Sequence, residues 1–166
     1  MLFLIVLLSG IEIERWKSML GLITAFTIGH SLTLAIAVVH APILSSATVE
    51  FLIPVTILIT AAANLVRKQT DIYLSVIFTG LFGLIHGMGF AGYLSALMPK
   101  DASIWKPLLF FNLGVEAGQI IIAAAFVSLL FIAQYISKNA VHIAQRVFSI
   151  VGLGISLLLA AQNWNF

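Results

Sequence analysis

The sequence predicts an all-α fold, an integral membrane bundle of about six transmembrane helices that forms one domain over residues 1–166. Composition is the first observation that predicts it, because 61% of the residues are hydrophobic and 8% are charged, whereas soluble domains carry roughly 25% charged residues. The second observation is that the few charges fall between long apolar runs. Most of the protein surface must therefore face lipid.

The first apolar run, residues 1–11, is shorter than the roughly 20 residues that a transmembrane helix needs. It lacks the positively charged start of a signal peptide. We therefore interpret this run as a short or truncated first span. The alternative is the remnant of a cleavable signal.

Five later runs are long enough to span a bilayer. They predict helices over residues 18–40, 43–66, 72–98, 105–137 and 141–163. Pro54 lies inside the second of these helices and frees a backbone carbonyl near residue 50, because proline has no amide hydrogen to donate. Gly83 and Gly87 form a GxxxG pair, which lets another backbone approach closely. This glycine face serves either a homo-oligomer or a helix contact within the chain.

The charges in the connections predict the orientation in the membrane. With six spans, the first, third and fifth connections share one side and hold six Lys or Arg residues. The opposite side holds only Lys100 and Lys106. The positive-inside rule then places the first group in the cytoplasm and both termini outside. We expect a multi-pass protein of a bacterial inner membrane.

Composition also limits the function. The chain has no cysteine, which excludes disulfides, thiolate metal sites and cysteine nucleophiles. The net charge of +2 comes from basic residues that stand singly or in pairs at the ends of apolar runs, unlike a phosphate-binding patch. We therefore expect the lipid bilayer as a partner and no nucleic acid.

Four ionisable residues stand out inside the predicted spans, away from the span ends: His30, Glu50, His86 and Glu116. Each costs at least about 2.5–3.5 kcal/mol when charged in hydrocarbon, so each needs a partner and usually a purpose. His30, His86 and Glu116 lie near the middle of three different helices, and Glu50 lies nearer the outer side. We predict that these four residues are the ligands of a metal site inside the bundle.

Other polar residues are expected to support this site, namely Ser31, Asn112, Gln119, Asn64 and His40. The i, i+4, i+7 spacing of Asn112, Glu116 and Gln119 places them on one face of a helix. His40 is a candidate ligand near the outer end of its span. Asn64 lies near the cytoplasmic end of another span, where we expect it to form hydrogen bonds rather than to bind metal.

Imidazole and carboxylate groups suit divalent zinc, nickel, cobalt or iron, and the lack of thiolates argues against Cu(I). A transported ion must be released, so we expect no tightly bound cofactor. The alternative is that the same residues form only hydrogen bonds between helices, each contributing about 0.6 kcal/mol.

Specific motifs occur in four segments: FTIGHSLTLAIA (26–37), VEFLIPVTILITAAANL (49–65), FGLIHGMGFA (82–91) and LLFFNLGVEAGQI (108–120). Together, and in this order, they resemble the HupE/UreJ family of small membrane proteins. The resemblance implies a permease for nickel or cobalt. The polar residues of the family motifs correspond here to His30, Ser31, Glu50, Asn64, His86, Asn112, Glu116 and Gln119.

The chain departs from the better characterised nickel permeases of that family, which carry an intramembrane histidine followed closely by an Asp-His pair. The only aspartates here, Asp71 and Asp101, lie in connections. The sequence is therefore similar to a second branch of the family, in which the metal is assigned mostly by association.

Three functions remain open. The first is a permease that passes nickel or cobalt, with zinc also compatible, through a mid-membrane His/Glu/Asn pocket. The second is an intramembrane metal-dependent hydrolase, in which histidines and a carboxylate hold zinc with one position open for water. The third is a non-catalytic membrane subunit whose polar residues hold helices together. The sequence contains no HExxH string, which argues against the hydrolase.

Overall fold

A computed structural model describes residues 1–40, 44–66, 72–97 and 105–164. All regular structure in these ranges is helical. The α-helices are α1 Leu2–Ser9, α2 Trp16–His40, α3 Ser46–Val66, α4 Ile72–Leu97, α5 Trp105–Ile136 and α6 Lys138–Gln162. A short 3₁₀ helix, Ile13–Arg15, lies between α1 and α2. The predicted all-α fold class is therefore confirmed.

Within the described ranges, α2 to α6 are each long and apolar enough to cross a membrane. Apolar side chains such as Ile28, Ile121 and Leu158 are more than half exposed on their outer faces, as a lipid environment requires. The protein is a multi-pass membrane protein. Asp71, Lys100 and Asp101, on which parts of the sequence analysis depend, lie outside the described residues.

The short first helix is also confirmed. At a rise of about 1.5 Å per residue, α1 is too short to cross a bilayer. Its residues are apolar all round, which is typical of a helix buried on every side. Phe3, Val6 and Leu8 are accordingly almost fully buried.

The five long helices form a ring in the order α2, α4, α3, α6, α5, in which α5 also contacts α2. The helix α1 packs against α3, α5 and α6 on the inside of this ring. The interior is therefore filled by the side chains of α1, and the inward faces of α2 and α4 meet its first turn through Phe3.

The most extensive helix contact joins α2 to α4, and glycines make it possible. A Cβ at Gly83 would collide with the Phe26 carbonyl of α2, and a Cβ at Gly87 would collide with the His30 carbonyl. The missing side chains let the two backbones touch. Of the two predicted uses of the Gly83/Gly87 face, the structure has the helix contact within the chain, with α2; a homo-oligomer stays a prediction.

Pro54 has the predicted effect on its own helix. It lies inside α3, where it cannot donate to the carbonyl of Glu50. The side-chain amide of Asn163, which follows α6, donates to that carbonyl at 3.3 Å. The freed carbonyl thus ties the beginning of α3 to the end of α6.

A polar network holds the end of α1 in place. Nδ2 of Asn64, on α3, donates to the Val6 carbonyl at 2.6 Å and lies 3.3 Å from Oγ of Ser9 and 3.4 Å from Oγ of Ser149. The two serine hydroxyls are 2.9 Å apart. Since the last carbonyls of a helix need partners from outside it, Asn64 satisfies part of that need for α1. Asn64 thus forms hydrogen bonds that join α3 to α1 and α6.

Replacing Asn64 by leucine is expected to lower the free energy of unfolding by about 1–3 kcal/mol, because it leaves buried acceptors of α1 without a donor. Thermal unfolding of the detergent-solubilised protein, followed by circular dichroism, measures this change. Asn139, exposed near the start of α6, provides the control Asn139→Leu. Equal melting temperatures for the two variants would contradict the assignment.

Candidate metal-binding site

His30, near the middle of α2, is the most unusual buried polar residue of the interior. Its side chain is 2% exposed. Neither Nδ1 nor Nε2 has a hydrogen-bond partner among the residues that the structure describes. Buried polar groups nearly always have a partner, because an unsatisfied one costs about 1–3 kcal/mol. His30 therefore has one ring nitrogen free to bind a cation, which is Nδ1 or Nε2 according to the tautomer.

His86, on α4, has one nitrogen engaged and one available. Its Nε2 lies 3.0 Å from Oγ1 of Thr56 on α3, and that hydroxyl donates to the Ile53 carbonyl at 2.7 Å. A hydroxyl carries a single hydrogen, so when Thr56 donates it to the Ile53 carbonyl, Nε2 of His86 donates to Thr56 and Nδ1 keeps its lone pair. Metal-binding histidines usually have their other nitrogen held by such a hydrogen bond. His86 is thus oriented to bind a cation through Nδ1.

The two histidines lie at the same level of the α2–α4 contact. Gly87, next to His86 in the chain, faces the backbone carbonyl of His30. Both imidazoles also contact the ring of Phe26, with centroid distances of 5.9 Å from His30 and 5.2 Å from His86. The sequence predicted that the two histidines lie at the same depth. Because α2 and α4 are adjacent, the two imidazoles also lie near each other.

Phenylalanine rings enclose the histidine pair. In addition to Phe26, Phe3 of α1 lies 4.8 Å from His86, and Phe90 of α4 lies 5.7 Å from His30, measured between ring centroids. These rings keep water away and lower the local dielectric, which strengthens any bond between an imidazole and a cation. Aromatic faces also attract cations directly.

The polar residues of α5 lie near α2, which α5 contacts. Oδ1 of Asn112 is buried and has no partner among the described residues. Oε1 of Gln119, a buried residue, accepts from Oγ1 of Thr27 on α2 at 2.7 Å. Glu116, which lies between them in the sequence, has an exposed side chain. Asn112 and Gln119 therefore reach into the bundle, whereas Glu116 borders its surface.

A surface groove of about 500 Å³ separates α2 from α5 around Glu116. Its walls are Thr24, Thr27, Ile28, Ser31, Leu32 and Glu116. Ser31 directly follows His30 in the chain, so the groove runs beside the histidine pair but does not contain an imidazole. The carboxylate of Glu116 thus faces hydroxyl groups at this depth.

Glu50 and His40 lie away from the histidine pair, nearer to helix ends. Glu50 is exposed near the beginning of α3, and His40 is exposed at the last residue of α2. Among residues 1–40, 44–66, 72–97 and 105–164, no group of three or more His, Asp or Glu residues lies close enough to hold one metal ion. The structure therefore brings His30 and His86 together and does not place Glu50 or Glu116 with them.

Thr56 is the part of this site that the sequence analysis missed. A threonine in an apolar helix commonly bonds only to its own backbone, so a single one carries no signal. A signal was present in the spacing, since Thr56, Thr60 and Asn64 recur at i, i+4, i+8 on one face of α3.

The chain matches a known family over nearly its whole length. A family model described as "HupE / UreJ protein" matches residues 1–165. No curated protein matches the chain, and neither does any solved structure.

Proposed function

Since the chain belongs to the HupE/UreJ family, we propose that it is a permease for a divalent transition-metal cation, nickel or cobalt, which passes between His30 and His86. The family is associated with the uptake of these metals, which supports a role in metal transport. The observation that carries the proposal is the fully buried imidazole of His30, whose two nitrogens have no described partner, beside a second imidazole on the touching helix.

The ligand chemistry fits a transported ion. Imidazole nitrogens suit nickel, cobalt and zinc in their divalent states. His86 offers Nδ1, because its Nε2 is engaged with Thr56, and His30 offers either nitrogen. Structural metal sites are closed by four protein ligands. A site with two imidazoles, completed by water or by an amide oxygen such as that of Asn112, holds its ion loosely enough to release it.

We assign the two predicted carboxylates to the route rather than to the histidine pair. Glu50 and His40 are exposed near the predicted outer ends of α3 and α2, where they attract the cation from the external solution. Glu116, in the groove beside Ser31, contributes a negative charge that offsets the divalent charge at mid-membrane. Gln119 holds Thr27 in the wall of the same groove.

The proposed direction is inward, with both termini outside a bacterial inner membrane. The membrane potential favours inward movement of a cation by about 2.3 kcal/mol for each charge per 100 mV. A divalent ion gains twice this amount.

The two other functions explain less of the interior. A zinc hydrolase of the kind considered needs three protein ligands and a bound water, whereas no group of three His, Asp or Glu residues that could hold a metal ion occurs among the described residues. A purely structural subunit accounts for the network of Asn64, Ser9 and Ser149 but leaves His30 without a role. Both points support transport.

The experiment is nickel and cobalt uptake into proteoliposomes that contain the purified chain. We expect His30→Ala and His86→Ala to reduce uptake to the level of empty liposomes. The matched control is His142→Ala, because His142 is exposed near the beginning of α6. Glu116→Gln is expected to slow uptake without changing the metal affinity of the histidine pair. Wild-type uptake no greater than that of His86→Ala would remove the proposal.

A further inference from the structure

Three phenylalanines form a layer on one side of the histidine pair. Phe3 of α1 contacts Phe26 of α2 at a centroid distance of 5.0 Å and Phe82 of α4 at 6.0 Å. Phe26 precedes His30 by one turn, and Phe82 precedes His86 by one turn. This aromatic layer (Phe3, Phe26 and Phe82) therefore lies toward the end of the bundle where α2 and α4 begin and α3 ends.

A cavity of about 140 Å³ lies on the far side of the aromatic layer. Phe82 belongs to both the layer and the cavity wall. Leu22 and Leu7, which are one turn beyond Phe26 and Phe3 along their helices, also line the cavity. The volume is far above the roughly 10–15 Å³ that a single water needs. Histidines, rings and cavity thus occupy three successive levels.

Polar groups continue from the histidine level into the cavity. Thr56 contacts His86, and the next residues on the same face of α3, Thr60 and Asn64, line the cavity. Thr79 lines it from α4. The hydroxyl of Thr60 donates its hydrogen to the Thr56 carbonyl at 2.8 Å, so its oxygen keeps lone pairs to offer to a cation.

We propose that this cavity is an inner vestibule, in which a partly hydrated divalent cation is held by hydroxyl and amide oxygens after it leaves the histidine pair. The inference rests on the proposed function. The aromatic layer separates the two positions, since a ring of apolar side chains blocks ions by excluding water. Phe82 is the ring that has to move for the ion to pass, because it belongs to the layer and also lines the cavity.

A lipid tail is the competing occupant. Ile59 and Phe78 line the cavity and are about half exposed on the outer surface of the bundle, where acyl chains lie. An acyl chain, however, does not require the repeated hydroxyl and amide groups of Thr60, Asn64 and Thr79. The polar stripe therefore favours an ion with its water.

Cysteine labelling tests the vestibule directly, because the chain contains no cysteine. The variants are Thr79→Cys, in the cavity, and Ser156→Cys as the control, since Ser156 of α6 is an equally buried hydroxyl outside the cavity wall. A charged, membrane-impermeant thiol reagent is applied to either face of oriented vesicles. From the cytoplasmic face, Thr79→Cys is expected to react about tenfold faster than Ser156→Cys, because thiol modification follows access.

The aromatic layer predicts two further results. Reagent applied to the outer face should not modify Thr79→Cys, but it should modify the double variant that also carries Phe82→Ala. Nickel at the cytoplasmic face should slow the labelling. A circular dichroism spectrum and a melting temperature equal to those of the wild type show that Thr79→Cys folds.

The outcomes separate the vestibule from the transport proposal. In one outcome the wild-type chain takes up nickel, but Thr79→Cys reacts no faster than Ser156→Cys. This outcome would overturn the vestibule and leave the transport proposal standing. Modification of Thr79→Cys only by a lipid-soluble maleimide would identify an acyl chain as the occupant. Rapid labelling without nickel protection, together with no uptake, would overturn both.

Discussion

Replacing His30 by leucine is expected to abolish nickel binding and, at the same time, to raise the thermal stability of the metal-free protein. The imidazole is 2% exposed, and neither of its nitrogens has a described partner. Such a buried polar group costs about 1–3 kcal/mol, which an apolar side chain of similar size avoids. A residue that lowers the stability of the folded protein in this way is usually retained because the function needs it.

Thermal unfolding in detergent, with and without nickel, measures both effects. A ligand that binds only the folded state stabilises it by about 2.7 kcal/mol when its free concentration is roughly 100 times Kd. We expect this shift for the wild type and for the control His142→Leu, and no shift for His30→Leu. If His30→Leu melts at a lower temperature without metal and still responds to nickel, the imidazole has a structural role.

The positions of the long helices could be predicted because a bilayer demands runs of a known length. Their observed bounds accordingly lie close to the predicted ones. The depth of His30 and His86 followed from counting along these runs. Since α2 and α4 touch, residues at equal depth on their facing sides also meet.

The rotation of each helix could not be predicted in the same way. In a membrane, the lipid-facing and core-facing sides of a helix are both apolar, so hydrophobic periodicity does not distinguish them. Glu116 was predicted to share one face with Asn112 and Gln119, yet only these two reach into the bundle. A rotation of a fraction of a turn about α5 decides between these arrangements.

The position of α1 inside the ring of long helices also could not be predicted from the sequence. Seven of the eight residues of α1 are apolar, and such residues fit equally well against lipid or protein. What fixes α1 is its pairing with residues distant in the chain, such as the bond from Asn64 to the Val6 carbonyl. Pairings of this kind have no local pattern, and they become visible only in three dimensions.

Substituting alanine for Gly83 is expected to destabilise the α2–α4 pair and to weaken metal binding. The added Cβ would collide with the Phe26 carbonyl and lie 3.1 Å from the His30 amide nitrogen. Both neighbours are backbone atoms, which cannot turn aside as a side chain can, so the helices must separate. Overpacking of this kind typically costs about 1–3 kcal/mol. The shift also moves the backbone that positions His30 relative to His86.

The controls for this substitution are Gly114→Ala and Gly154→Ala, because a Cβ at either position meets no atom of the described residues within 4 Å. Alanine favours a helix over glycine by about 0.8–1.0 kcal/mol, so both controls should melt at the wild-type temperature or above it. Nickel affinity, measured by titration calorimetry, should fall for Gly83→Ala and stay unchanged for the controls. A stable Gly83→Ala variant with wild-type affinity would mean that the close approach of α2 and α4 does not hold the two imidazoles at their separation.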